Sequence, residues 1–325
     1  VRLVLERLLH NALALLAVTT ILFFMFRLMP GTPLAAYISD NLNADQQQAM
    51  LAQFGLDQPL WRQYVIYLGN LATGELGLSF FQRRPVLDIL LEVLPNSLIL
   101  TLSSLVIAYV FGVLAGAWLA WKRGSWVEGV AVPIVLASRA PPEFWIGMVL
   151  LAVLSFHFGW FPSGGANSPG LAYANEWDRI ASLDFVHHMA LPMLTLALYV
   201  QGLPLLLMRS NMLDVMHEDF VTMARMKGFS EWRIVIRHAA RNALLPVVTA
   251  FALGVGISMG GNVVVETVFS WPGIGRLLVN AVANLDYPVA QGAFLMIALV
   301  LTAMNFVADL LYLGLDPRIT HGRPG

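Results

Sequence analysis

Apolar residues in this chain come in long blocks, such as "NALALLAVTTILFFMF" (11–26) and "SLILTLSSLVIAYVFGVLAGAWLAW" (97–121), with polar and charged residues gathered between them. A helix rises about 1.5 Å per residue, so about 20 apolar residues cross a hydrocarbon layer about 30 Å thick. Six such spans are expected, at 8–29, 97–121, 130–158 with an interruption, 189–208, 243–265 and 289–313. An even number puts both termini on one side. The pattern predicts an all-α polytopic membrane protein of six transmembrane helices.

Composition agrees. The 325 residues are 58% hydrophobic and 12% charged, where a soluble domain carries about 25% charged residues, and the mean hydropathy is +0.70. The first span is too long for a signal-peptide core and lacks a small-residue cleavage site, so it reads as an anchor. With no cysteine, disulfides, thiolate metal sites and a cysteine nucleophile are excluded.

The net charge of −1 hides a separation of signs. Placing the N-terminus inside gathers Arg2, Arg7, Lys122, Arg123, Arg209, Arg225, Lys227, Arg233, Arg237, Arg241, Arg318 and Arg323 in the cytoplasm. The outer segments then hold Arg62, Arg83, Arg84, Arg179 and Arg276 against Asp40, Asp45, Asp57, Glu75, Asp88, Glu92, Glu176, Asp178, Asp184 and Asp286. The positive-inside rule therefore gives N-in, C-in. The expected organisation is an N-terminus and first helix (1–29), a folded external subdomain (30–96) and a five-helix core (97–325) with a cytoplasmic loop at 209–242.

Interruptions mark special places. Pro141 and Pro142 in "SRAPPEFW" must break the third span, and such a break is tolerated only against protein or a watery cavity. Arg139 and Glu143 are expected to pair across a kink, with a gate or cavity lining as the functional reading. Gly112 with Gly116, and Gly256 with Gly260, are small-residue pairs suited to close helix packing. "GWFPSGGANSPG" predicts turns in a second outer segment.

The window "DFVTMARMKGFSEWRIVIRHAARNALLP" (219–246) holds five of the nineteen basic residues. Met216, Phe220 and Met223 fall at i, i+4 and i+7, one helix face. Gly228 allows a sharp turn and Ser230 can cap a second helix. That helix would carry Trp232, Val235, Ile236 and Ala239 on one side, with Arg233, Arg237 and Arg241 on another. Like charges at i, i+4 repel, so the stripe wants an anionic neighbour. Lipid headgroups or an acidic groove on a cytoplasmic partner would serve. The helix-Gly-helix form is longer than anchoring needs and favours a partner.

The window resembles the EAA loop of ABC importer permeases, in the version of the dipeptide, oligopeptide and nickel importer branch. Ala224, Lys227, Gly228, His238, Asn242, Ala243, Leu244 and Pro246 occupy its recurrent positions. "FGLDQPLWRQY", "GELGLSF" and "RRPVLDILLEVLPNSL" are similar to the first external region of the B-type subunit of that branch. "HHMALPMLTLAL", "VVVETVFSWPGIGRLL", "DYPVAQG" and "LDPRI" are similar to its later signatures, so the resemblance runs nearly end to end. The departures are Thr32 in "PGTP", Leu285 before "DYP", and Thr222-Met223-Ala224 in place of Glu-Ala-Ala.

The resemblance implies a type I ABC importer permease in the cytoplasmic (inner) membrane of a prokaryote. Such a subunit pairs with a second, homologous permease, sits on two cytoplasmic ATPases and receives peptide from an external solute-binding protein. Phe220, Met223, Ala224, Arg225, Lys227, Gly228, Phe229, Arg233 and Arg237 would then couple to the ATPases, and Gln201 and Asn262 would line the path. A nickel chelate or another small solute is the alternative cargo. No nucleic acid partner is expected. A P-loop needs Gly-Lys-Ser/Thr; Lys122 is followed by Arg123, and Lys227 by Gly228. ATP and Mg are therefore expected on the partner ATPases, with no cofactor or catalytic residue here.

Two rival classes remain. An ion-gradient-driven transporter needs ionisable groups in the midplane, and the candidates Glu266 and Asp309 fall near the ends of their spans. An intramembrane hydrolase needs a nucleophile with a base; Ser163 lies in a Gly/Pro turn, where serine is usually structural. His157, His187 and His188 could hold a metal but lack regular ligand spacing.

Overall fold

The structure, a computed structural model, describes residues 2–28, 57–259 and 262–315, with side chains except at 2–6, 256–257, 259 and 309–315. Thr32, Asp40, Asp45, the Gly256–Gly260 pair, the Asp309 side chain, Arg318, Arg323 and most of "LDPRI" lie outside the described residues. The helices in chain order are α1 (Arg2–Arg27), α2 (Leu60–Ala72), α3 (Val86–Trp121), α4 (Trp126–Ala137) and α5 (Glu143–Leu150, continuing as a π-helix over Leu151–His157). Then come α6 (Glu176–Ile180), α7 (Leu183–Val200), α8 (Gly202–Val215) and α9 (Asp219–Met226). α10 comprises Glu231–Arg233, a π-helical Ile234–Ala239 and Ala240–Met259; α11 (Val263–Val268), α12 (Ile274–Ala283) and α13 (Tyr287–Leu315) follow. Among the described residues the only β pairing is an isolated bridge between Leu78 and Pro85.

Among the described residues, five helical stretches are long and apolar enough to cross a membrane: Arg7–Arg27, Val86–Trp121, Leu183–Val200, Glu231–Val255 and Tyr287–Ala308. The expected span at 130–158 is instead two shorter apolar helices, α4 and α5, separated at 138–142. Pro142 stands extended at the start of α5, with φ −61° and ψ 148°, and the residue before a proline is driven out of the helical region. Without a helix between them, Arg139 and Glu143 do not form the expected pair. The Arg139 stem lies across Gly202 instead, where a Cβ would come within 2.5 Å of Arg139 Cδ.

The chain divides into two compact units, residues 1–95 with 272–302 and residues 96–271 with 303–325. In the first, Leu22 and Phe26 of α1, Val86 and Leu90 of α3, Ile274 and Leu278 of α12 and Val289 and Ala293 of α13 form one core. α12 ends in a Schellman-type close: the Asp286 N–H donates to Ala281 O (2.8 Å) and the Leu285 N–H to Val282 O (3.2 Å). Leu285 holds φ +55°, the left-handed region where glycine is the usual choice. This turn carries the buried Asp286 carboxylate to the 79–84 turn, where it accepts from Ser79 Oγ, Phe80 N (3.0 Å) and Phe81 N (3.3 Å).

In the second unit, α3 and α8 approach closely through small residues. A Cβ on Gly116 would lie 2.4 Å from Leu205 O, and one on Gly112 would lie 2.8 Å from Pro204 Cγ. Helices in lipid gain little from the hydrophobic effect on each other, so backbone approach at glycine is what packs them. Gly116→Leu should therefore destabilise the protein by about 1–3 kcal/mol through overpacking. Gly129→Leu, at a position with nothing within 4 Å, is the control. Thermal unfolding in detergent reads the difference, and equal midpoints for the two variants would refute the packing argument.

Pro204 has no N–H for the Val200 carbonyl, and the helix breaks for one residue at Gln201 between α7 and α8. The stretch "GWFPSGGANSPG" (159–170) is turns, as its composition predicts, with positive φ at Gly159, Gly165 and Gly170. Asp184 in the first turn of α7 ties it down, accepting from Ser168 N (2.8 Å), Ser168 Oγ (2.7 Å) and Tyr173 OH (3.2 Å).

Candidate functional site

The basic window folds as an elbow, α9, a turn at Gly228, and the start of α10. Phe229 N donates to Ala224 O (3.3 Å) and Gly228 N to Arg225 O (2.9 Å), a Schellman close with Gly228 at φ +77°. A Cβ at Gly228 would meet nothing within 4 Å, so glycine is required for conformation and not for space. Arg225 Nε reaches Glu231 Oε1 (2.9 Å) and Arg225 Nη2 reaches Glu231 Oε2 (3.4 Å), fastening the two arms across the turn. Ser230 stands extended before α10, and its hydroxyl makes no cap bond.

A small core fixes the angle. Val221 and Ala224 of α9 pack on Ile234 of α10, with Val215 and Met216 beside them, and the first three are buried. The expected apolar face of Met216, Phe220 and Met223 is thereby corrected. Val221 and Ala224 face inward, while Phe220, Met223 and Met226 face out, Met223 at 54% exposure. On α10, Val235 and Ala239 are buried as expected, but Trp232 and Ile236 are exposed. Trp232 meets the Trp121 ring at 5.8 Å, and Lys122 Nζ lies 5.2 Å from the centre of the Trp121 ring.

Cations border the outward face. Phe229 stacks on His238 (5.7 Å, 8° between planes), and the Arg233 guanidinium lies 5.7 Å from the Phe229 ring. Lys227, Arg233, Arg237 and Arg241 are exposed, and no acidic side chain among the described residues pairs with them. The elbow thus presents apolar side chains ringed by free positive charge on a backbone held at three points. α10 then runs from the turn to Met259 without a break, so the second arm and the following long apolar helix are one piece, not the two elements the spacing suggests. No glycine or proline interrupts 231–245, and Pro246 is accommodated inside the helix.

The other candidates fall elsewhere in the same unit. Asn262 is buried and donates to Thr101 Oγ1 on α3, while Gln201 is half-buried at the α7–α8 break. Glu266 is buried, accepting from Ser97 Oγ at 2.6 Å. His187 uses Nε2 on Trp160 O (2.9 Å) and His188 uses Nδ1 on Asp184 O (2.9 Å). Among the described residues no group of three or more His, Asp or Glu side chains is placed to hold a metal. Trp271, in "FSWPGIG", is fully buried against Phe185 and donates to Asn96 O (3.2 Å).

A family described as "Binding-protein-dependent transport system inner membrane component" matches residues 109–321. Its N-terminal companion, "Binding-prot-dependent transport system membrane comp, N-term", matches residues 1–101. The chain is 40% identical over 320 residues to the di/tripeptide transport system permease protein DppB of Pseudomonas aeruginosa, covering 94% of this chain and 95% of that protein. It is 37% identical to the glutathione transport system permease protein GsiC of Escherichia coli (98% of each chain) and 35% identical to the oligopeptide transport system permease protein AppB of Bacillus subtilis (98% and 99%). Among solved structures, the MetNI methionine ABC transporter in inward-facing conformations aligns with a TM-score of 0.51 over 70% of this chain and 96% of that chain. At 14% identity this likeness speaks to fold alone.

Proposed function

The chain belongs to the binding-protein-dependent transport system inner membrane component family, and from that premise we propose that it is the permease subunit of an ABC importer for peptides, drawing force from cytoplasmic ATPases through residues 214–241. The other assignments belong to the same reading. The chain crosses the inner membrane six times with both ends inside, α4 and α5 completing one crossing. It pairs with a second permease, and an external binding protein delivers the peptide. The names of the relatives, which concern di/tripeptides, glutathione and oligopeptides, are what favours peptide as cargo.

The observation that carries the coupling reading is the outward face of the elbow. Phe220, Met223, Met226 and Phe229 are exposed beside unpaired Lys227, Arg233 and Arg237, while Val221, Ala224 and Ile234 lock the backbone behind them. An apolar centre with a polar rim is the make-up of a protein-docking surface. Because α10 is continuous with the elbow, a push delivered at the turn moves a transmembrane helix directly, and a packed, fastened element transmits displacement without absorbing it.

Since the chain contains no cysteine, single cysteines at Met223 or Phe229 report contact cleanly. Each should cross-link to the co-purified ATPase, with a yield that changes between nucleotide-free and ATP-bound states. Failure to cross-link in every nucleotide state would sink the coupling assignment.

A further inference from the structure

The unit of residues 1–95 and 272–302 encloses a cavity of about 170 Å³ between the last turn of α1, the face of α2, the 75–80 turn and the start of α13. Its polar lining is Arg27, Gln63, Tyr67, Asn70, Glu75 and Gln291, set against apolar walls that include Tyr287. The Arg27 guanidinium is half-buried, meets the Phe23 ring at 5.7 Å, and has no acidic partner among the described residues. Burial raises the Tyr67 phenol above its ordinary pKa, and Gln291 lies near enough to oppose that shift. Yet neither the buried Tyr67 hydroxyl nor the buried Gln291 Nε2 completes a hydrogen bond.

Buried polar groups in folded proteins are bonded as a rule, and exceptions gathered in one cavity call for an occupant. Three of the lining groups, Arg27, Tyr67 and Gln291, have one chemistry in common. Arg27 offers charged N–H donors, Gln291 an amide N–H and Tyr67 a hydroxyl, so what satisfies them together is an anionic, two-oxygen acceptor. A guanidinium takes a carboxylate through paired hydrogen bonds. We propose that this cavity binds a small carboxylate-bearing solute, its oxygens held by Arg27, Tyr67 and Gln291. Glu75, exposed at the mouth, disfavours a second negative charge and can receive an ammonium group, so amino acids fit better than dicarboxylates. The site does not depend on the elbow or on the identity of the transported cargo.

Ligand-observed saturation-transfer NMR on the full chain, purified with its partners in nanodiscs of neutral lipid, tests this with propionate as probe. Propionate should give a signal that alanine competes away, and propionamide, of nearly the same shape without charge, should give none. Arg27→Gln should weaken propionate binding about tenfold or more, the scale of a lost charged hydrogen bond. Gln291→Glu, of nearly equal volume, should abolish it by setting carboxylate against carboxylate, and serves alone if the Arg27 variant does not fold. Equal binding of propionate and propionamide, or wild-type affinity in a folded variant, would overturn the proposal. So would displacement of propionate by phosphatidylglycerol, since the oxyanion held there would then be a lipid phosphate.

Discussion

Asp286→Ala is expected to loosen the unit of residues 1–95 and 272–302 and to lower its stability by about 3–5 kcal/mol, the scale of breaking a buried charged network by removing one partner. The carboxylate is 3% exposed and gathers Ser79 Oγ, Phe80 N and Phe81 N. Ser79 Oγ in turn accepts from Gln82 N at 2.8 Å, so one side chain organises a turn about two hundred residues earlier in the chain. Removing it strips the acceptor from three donors at once, and each unmet buried group costs about 1–3 kcal/mol. Asp286→Asn keeps one acceptor oxygen but turns an amide N–H₂ toward donors, so it should fall between wild type and alanine. Limited proteolysis checks the site directly. New cleavage within 72–86, with a lowered melting midpoint, is the expected result, and a wild-type digestion pattern would show that the clamp is dispensable.

That clamp was not legible in the sequence, where Asp286 read as one acid among the outer loops and as the first residue of "DYPVAQG", with nothing to name its partners. Its partners are remote in sequence, and the left-handed Leu285 that aims it is a residue nothing marks as a turn former. Features written into neighbouring residues were readable. Gly228 closes a helix, Pro141 and Pro142 separate α4 from α5, and Gly112 and Gly116 let α8 approach α3, because each follows from one residue's own sterics. The elbow's inward face was misjudged for a related reason. α9 has apolar residues at 220, 221, 223, 224 and 226, which cover more than one side of a short helix. The choice among them is made by Ile234, from beyond the turn. Arg139 and Glu143 failed to pair because the prolines that suggested a kink removed the helix that i, i+4 pairing requires.

The same division between inward and outward faces yields the sharpest test of function, a pair of neighbouring substitutions with opposite consequences. Ala224 is 5% exposed within the Val221–Ile234 core, and Met223 beside it is 54% exposed. Ala224→Asp would bury an unpaired carboxylate, which is strongly destabilising, and little folded protein should be recovered. Met223→Asp changes a surface position, where substitutions usually shift stability by less than about 0.5 kcal/mol, so the melting midpoint should hold. If Met223 is central to a docking face, however, its loss should weaken ATPase association on the order of tenfold or more, with peptide uptake falling alongside. Introducing the charge tests the face twice over, since Asp is both polar and able to pair internally with Lys227 at i+4, drawing off a cation otherwise presented to the partner. A folded Met223→Asp protein that retains its ATPase and transports at the wild-type rate would place the docking surface elsewhere. Tolerance of Ala224→Asp would show instead that the elbow's arms are not packed as a stiff element, and a lever without stiffness cannot deliver to α10 the displacement that the proposed coupling requires.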